Sequence, residues 1–133
     1  MVRARLTSLT QIRRWLNRIL LRCGAAESTR SDLALAVTEL CSNIIRHGYR
    51  GADGTIDISA ASDSHAFEVT VVDQAPCFAP AATATTETRG ALREGGFGIP
   101  LIRALVDEVS HESLGARGNR VRLVRYRKAG DHK

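Results

Sequence analysis

The sequence has few cysteines and lacks a long apolar segment. Its three cysteines are Cys23, Cys41 and Cys77. No two of them have the C-x-x-C spacing of a zinc site, and an odd number does not indicate a disulfide framework. No apolar run reaches the roughly 18 residues that a membrane-spanning helix needs, and the first residues lack the apolar core of a signal peptide. We therefore expect a cytoplasmic protein that does not contact a membrane.

The composition excludes disorder and a fibrous class. Hydrophobic residues make up 44% of the chain and charged residues 25%, which is ordinary for a folded globular protein. A chain of 133 residues is long enough for one core, so we expect a single domain over residues 1–133. The net charge of +5 permits binding to nucleic acid. However, the basic segment 120–128 alternates Arg with Val and Leu like any solvent-facing strand, so nucleic acid is the least favoured partner.

Apolar periodicity predicts helices and strands in a definite order. Residues 2–6 are a short first strand. Two helices follow, at 8–23, where Ser8 and Gln11 resemble a capping box, and from about 28 to His47. Strands are predicted at 55–61, 66–72, 109–114 and 119–127, and a third helix from about Pro100 to Asp107. Residues 74–96 have no clean period and are interpreted as a functional lid.

This order predicts the fold class. Strands that occur in adjacent pairs with short turns favour antiparallel pairing, and the helices need an apolar face to cover. We therefore expect an α+β two-layer sandwich, with three helices on one face of a mostly antiparallel mixed sheet. The order does not fit a Rossmann fold, which alternates strands and helices.

Three polar side chains recur at every fourth residue of the predicted second helix: Glu39, Asn43 and His47. Residues four apart are offset by roughly 40° around a helix axis, so the three form one row beside the apolar face. Two interpretations are open. The row faces solvent, or it is a site in which Asn43 donates an oxygen to Mg²⁺ and Glu39 activates a hydroxyl. His47 is interpreted as a residue that the dipole favours at a helix C-terminus.

Two further segments also allow a structural and a functional interpretation. Asp73 follows an apolar strand, where it either starts a turn or is a buried acceptor for an amine such as that of adenine. Residues 95–98 (GGFG) lead into a helix N-terminus, so they are either a hinge or a phosphate cradle. They lack the third glycine of G-x-G-x-x-G and the G-K-[ST] of a P-loop.

In this order the segments resemble the GHKL ATPases, a superfamily that includes gyrase, heat-shock chaperones, histidine kinases and mismatch-repair proteins. Within it the chain is most similar to the small bacterial anti-sigma-factor serine kinases. The resemblance runs from about Thr7 to Arg127. It is carried by residues 36–49 (AVTELCSNIIRHGY), 72–78 (VDQAPCF), 95–109 (GGFGIPLIRALVDEV) and 117–121 (RGNRV).

The resemblance implies ATP and Mg²⁺ as cofactors, with a lid between Pro76 and Glu94. Glu39 is the implied general base, Asn43 the implied Mg²⁺ ligand and Asp73 the implied acceptor for the adenine amine. The implied cofactor-binding residues are Asn43, Asp73, Ala75, Gly95, Gly96, Phe97 and Gly98. Family members phosphorylate a serine of a small antagonist protein and sequester a sigma factor, commonly as dimers, so the same partners and a homodimer are implied here.

Two departures from the family pattern leave a second hypothesis open. The family commonly has glycine where this chain has Ala75, and Pro or Gly where it has Cys77. A methyl group near the base weakens nucleotide binding, or is harmless if φ of Ala75 is negative. The second hypothesis is a non-catalytic module that keeps the fold and acts by holding its partner. We do not expect a histidine autokinase, because no dimerising helical region with a phosphoacceptor histidine precedes the domain.

Overall fold

The computed structural model describes residues 1–50, 52–75 and 99–132. The five described strands are β1 (Val2–Arg3), β2 (Thr55–Ser62), β3 (Ala66–Asp73), β4 (Glu108–Ser113) and β5 (Asn119–Tyr126). The three described α-helices are α1 (Leu9–Arg22), α2 (Glu27–Asn43) and α3 (Ile99–Leu105). Short 3-10 turns span Leu6–Ser8 and Gly115–Arg117, and a π-helical turn spans Ile44–Gly48. No helix in these ranges is long and apolar enough to cross a membrane.

The strands form one sheet in the order β1-β2-β3-β5-β4, and all four described pairings are antiparallel. The hairpins β2–β3 and β4–β5 are the two that the alternating pattern predicts. They are joined by the pairing of β3 with β5, which places Asp73 directly opposite Asn119. This pairing brings together two residues that are far apart in the sequence, and it builds the site described below.

The core lies between the helices and one face of the sheet. Alternate residues of β3 (Phe67, Val69, Val71 and Asp73) are buried, as period-2 strands require. The helices contribute Ile12, Leu16, Leu20, Leu33, Val37, Leu40, Ile44 and Ile102 to the same cluster. The other face carries exposed charge pairs such as Arg122–Glu68. The predicted α+β sandwich with helices on one face is confirmed.

Two local predictions are wrong. Ser8 makes no side-chain capping bond, because its backbone is already helical (φ −81°, ψ −11°) as part of the preceding 3-10 turn. The second helix does not stay α-helical to His47. Its last five residues form a π-helical turn, and the N–H of Tyr49 donates to the carbonyl of Ile44 at 2.8 Å. The lid and residues 95–98 lie outside the described residues.

Candidate functional site

Asp73 ends β3 inside the protein, with 1% of its surface exposed. Its Oδ1 accepts two hydrogen bonds, from the N–H of Ala75 at 2.9 Å and from Nδ2 of Asn119 at 3.1 Å. Its Oδ2 is buried and has no hydrogen-bond partner among the described residues. Since buried polar atoms are nearly always paired, an acceptor left over at this position is typical of a ligand site.

Burial raises the pKa of Asp73, because removing a carboxylate from water disfavours its charged form. The hydrogen bonds from Asn119 and Ala75, and the imidazole of His111, act in the opposite direction. Desolvation is the largest of these effects, so the pKa is raised overall. A perturbed carboxylate beside an unused acceptor atom is a functional-site candidate on physical grounds.

Gly118 allows β5 to start directly against the end of β3. Its φ is +104°, and a Cβ built on it would lie 1.9 Å from the carbonyl oxygen of Asp73. Any other residue would push the two strands apart at this end. Asn119 follows at once and points its amide at Asp73. Both residues belong to the motif 117–121, but the sequence predicts no role for either of them. Their contacts depend on the register of β3 with β5.

Tyr49 is a second residue that holds the end of β3. Its hydroxyl donates to the carbonyl of Thr55 at 2.7 Å and accepts from the N–H of Gln74 at 2.8 Å. A Cβ at Gly54 would lie 2.2 Å from the Tyr49 ring, so glycine is required there. The tyrosine thereby fixes the peptide that follows Asp73 and ties it to the start of β2.

Ala75, the departure from the family pattern, adopts an ordinary backbone conformation. Among the described residues Arg50 is the one non-glycine with positive φ, so φ at Ala75 is not positive. The Ala75 side chain is buried, and its Cβ would lie 3.1 Å from a Cβ built on Gly48. The methyl group therefore packs against the π-helical turn without backbone strain, which removes one reason to expect a disabled pocket.

The polar row of α2 is not a solvent face. Asn43 is 6% exposed, and its Nδ2 is buried without a hydrogen-bond partner in the described part of the chain. Glu39 and His47 are half-buried. The solvent-facing interpretation is therefore wrong for Asn43. Rotation about χ2 exchanges the amide oxygen and nitrogen, so either atom can face a ligand.

The π-helical turn separates His47 from the other two residues of the row. An i→i+5 turn holds more residues than the 3.6 of an α-helix, so side chains beyond Asn43 do not continue at four-residue spacing. The predicted row of three is thus a pair, Glu39 and Asn43, followed by a wider turn. π-Helical turns inside helices occur frequently at functional sites.

Cys41 connects α2 with Asp73. Burial, and to a smaller extent the charge of Asp73, raise the pKa of its thiol to about 12. The thiol is therefore uncharged and chemically inert. Because the Asp73 charge affects the pKa of Cys41, this part of α2 lies close to the end of β3. Cys41 is two residues before Asn43. The structure thus brings Asn43 and Asp73 into one region, while Gly95, Gly96, Phe97 and Gly98 lie outside the described residues.

Comparisons with known proteins agree with this geometry. The family model described as "Histidine kinase-like ATPase domain" matches residues 2–125. The serine-protein kinase RsbW of Bacillus pumilus is 32% identical over 110 residues, which cover 74% of this chain and 67% of the relative. The anti-sigma F factor of Thermoanaerobacter sp. is 28% identical over 99 residues, covering 72% and 69%.

The fold is also similar to that of a solved structure. The mycobacterial sensor histidine kinase MprB superposes with a TM-score of 0.51 over 73% of each chain, at 16% sequence identity. At that identity the likeness extends to the fold alone. It agrees with the open antiparallel sheet and the helices on one face.

Proposed function

This chain belongs to the histidine kinase-like ATPase family, and we propose that it is an ATP-dependent serine/threonine protein kinase and anti-sigma regulatory factor. It phosphorylates a small antagonist protein, sequesters a sigma factor, or does both. Relatives named serine-protein kinase and anti-sigma F factor support this role. The homodimer and the cytoplasmic location remain predictions.

The observation that carries the proposal is Oδ2 of Asp73, which is buried and has no hydrogen-bond partner among the described residues. A buried carboxylate oxygen accepts hydrogen bonds and donates none, so it suits an amine such as that of adenine. A base with a carbonyl oxygen in place of the amine would put that oxygen against the negative charge of Asp73. The site thus selects an amino-substituted base, and burial makes the missing hydrogen bond costly when the wrong base is present.

Asn43 and Glu39 are suited to the phosphate end of the nucleotide. The amide of Asn43 is buried, and its Nδ2 has no partner in the described part of the chain, so the amide can turn its oxygen to a hard cation. Glu39 lies one helical turn earlier and is half-buried, where it can accept the proton of a serine hydroxyl. When bound, ATP supplies the phosphoryl group and Mg²⁺ neutralises the charge on its oxygens.

The residues present therefore fit both groups. Asp73 would hold the base, Asn43 would ligate the metal and Glu39 would act on the substrate hydroxyl, while Tyr49 and Gly118 keep the end of β3 in place. The unstrained backbone at Ala75 weakens the main argument for a non-catalytic module. That alternative now depends on catalysis being absent rather than on a blocked pocket.

Calorimetric titration with ATP, with and without Mg²⁺, tests the binding step. We expect Mg²⁺-dependent binding that Asp73→Asn weakens by about 100-fold, because an amide donor then faces the amine donor. Asn43→Ala should remove the Mg²⁺ dependence. Asp57→Asn and Asn17→Ala are matched controls, since both side chains are exposed. Equal ATP binding by wild type and Asp73→Asn would contradict the proposed base site.

Phosphoryl transfer separates the two hypotheses. With a cognate antagonist protein, the wild type should incorporate phosphate on serine, and Glu39→Gln should lower the rate by about 10²-fold or more while ATP binding is kept. ATP binding without any transfer to a bound antagonist would favour the non-catalytic module.

A further inference from the structure

A chain of hydrogen bonds crosses three strands and ends at Asp73. It begins at His111 on β4, whose Nε2 lies 3.0 Å from Oδ1 of Asn119 on β5. Nδ2 of Asn119 then donates to Oδ1 of Asp73 on β3 at 3.1 Å. His111 is half-buried, whereas Asn119 and Asp73 are 2% and 1% exposed. Neither the sequence motifs nor the family resemblance assigns His111 a role.

The direction of each bond in this chain is determined by chemistry. A carboxylate has no proton to donate, so the Asn119 amide must present Nδ2 to Asp73. The amide oxygen then faces His111 and can only accept, so Nε2 of the imidazole must carry a proton. This holds for the neutral Nε2–H tautomer and for the imidazolium, and it excludes the Nδ1–H tautomer.

His111 thereby prevents the amide from turning over. A flipped Asn119 would place its oxygen against the Asp73 carboxylate and its NH₂ group against an Nε2–H donor, so both contacts would be repulsive. The correct orientation lets Oδ1 of Asp73 accept from Asn119 and Ala75 together. Two donors on one oxygen hold the carboxylate plane and leave Oδ2 available.

We propose that His111 is a positioning residue for nucleotide recognition, which orients the Asn119 amide and through it the Asp73 carboxylate toward the base amine. The inference rests on the proposed function and adds a residue to its base-recognition site. It also extends that site to β4, the last described strand of the sheet order. The imidazole further stabilises the charged form of Asp73, which is the form that accepts an amine.

The first test needs no ligand. ¹⁵N NMR of the imidazole at alkaline pH should identify His111 as the Nε2–H tautomer, and Asn119→Ala should shift that signal. Finding the Nδ1–H tautomer in the wild type would overturn the inference, whatever the protein binds. This result is independent of the proposed function.

The second test compares ATP with ITP, which has a carbonyl in place of the amine. His111→Leu should lower the ratio of ATP affinity to ITP affinity by about tenfold, the effect of one lost hydrogen bond. His111→Gln carries an amide N–H donor and should restore most of the ratio, whereas a general packing defect would not be rescued. His65→Leu, at an exposed histidine, is the matched control.

The outcomes distinguish the two proposals. A wild type that prefers ATP, together with a His111→Leu variant that keeps the full preference, overturns the role of His111 and leaves the proposed function intact. A wild type without preference for ATP overturns the base site itself. Should His111→Leu fail to fold, the His111→Gln ratio and the wild-type tautomer still decide the question.

Discussion

Two buried charges occupy opposite ends of the β3–β5 pair, and they have different surroundings. Arg125, opposite Phe67, is 6% exposed and donates through Nη1 to Asp32 at 2.6 Å and to the carbonyl of Leu105 at 3.0 Å. Asp73, opposite Asn119, has neutral donors on one oxygen and none on the other among the described residues. Arg125 thus has an ionic partner within the fold, whereas Oδ2 of Asp73 has no partner among the described residues and is the atom proposed to accept the base amine.

The surroundings of the two residues distinguish a structural buried charge from a candidate functional one. A buried charge is costly unless an opposite charge and hydrogen bonds compensate it. Arg125 obtains an opposite charge from α2 and a carbonyl acceptor from the end of α3, so it ties both helices to the sheet, although its Nε is buried without a partner among the described residues. Asp73 has no such ion pair with any described residue, and its pKa is raised by burial. The charge without an ionic partner therefore lies in the candidate site.

The largest change in stability is expected at the Arg125 end of the β3–β5 pair. Asp32→Ala should lower the free energy of unfolding by ~3–5 kcal/mol, because it leaves the Arg125 guanidinium buried without its counter-ion. Arg125→Met should cost less, since the Asp32 side chain is 38% exposed and water can solvate it. Urea denaturation of both variants measures the difference. Equal costs would mean that the ion pair does not compensate burial of Arg125.

An intermediate effect is expected at the Asp73 end. Gly118→Ala should cost about 3 kcal/mol, because the strain of positive φ adds to a clash with the Asp73 carbonyl. Gly115→Ala is the matched control in the same hairpin. Its φ is +69° and no atom of the described residues lies within 4 Å of its added Cβ, so it should cost only about 1 kcal/mol of backbone strain. If Gly118→Ala costs no more than Gly115→Ala, the close approach of Gly118 to the Asp73 carbonyl would be contradicted.

The smallest effect is a pH dependence of stability. The folded-state pKa of Asp73 is raised above its ordinary 3.8, so the folded protein binds the proton more tightly than the unfolded chain. Its contribution is fully present below pH 3.8 and is lost as pH rises through the folded pKa. Asp73→Asn removes this loss. The stability of Asp73→Asn relative to wild type should therefore rise across that window and stay constant above it.

Thermal unfolding at a series of pH values measures this difference. Asp57→Asn, on the neighbouring strand and exposed, should follow the wild type throughout. A relative stability of Asp73→Asn that falls with rising pH would mean that the Asp73 charge is stabilised in the folded protein, and the comparison with Arg125 would no longer hold.

Much of the fold was predictable because its signals are local. Alternation in residues 66–72 places Phe67, Val69 and Val71 on one face whatever the strand pairs with, and the structure buries all three. The 3.6-residue period did the same for Leu33, Val37 and Leu40. The failures were also local. Ser8 belongs to a 3-10 turn and does not cap α1. The residues after α2 form a π-helical turn that separates His47 from Asn43.

The site was predictable in part. Glu39, Asn43 and Asp73 were identified from motif order and residue chemistry. The contacts of Tyr49 and Gly118, and the role proposed for His111, were not predicted, since each depends on a residue distant in sequence. Tyr49 reaches Gln74 through a hydrogen bond across 25 positions, and Asn119 reaches Asp73 across 46.

The sequence by itself therefore determined the elements, their apolar faces and the residue types that a nucleotide site needs, because these depend on neighbours within one or two turns. Which of those residues are buried, and what they contact, depends on how the strands pair and the helices pack. The antiparallel register places Asn119 opposite Asp73. His111 lies diagonally across from Asn119 on the same face of the sheet. A shift of that register by one residue would turn these side chains to the other face, so their joint role exists only in the folded sheet.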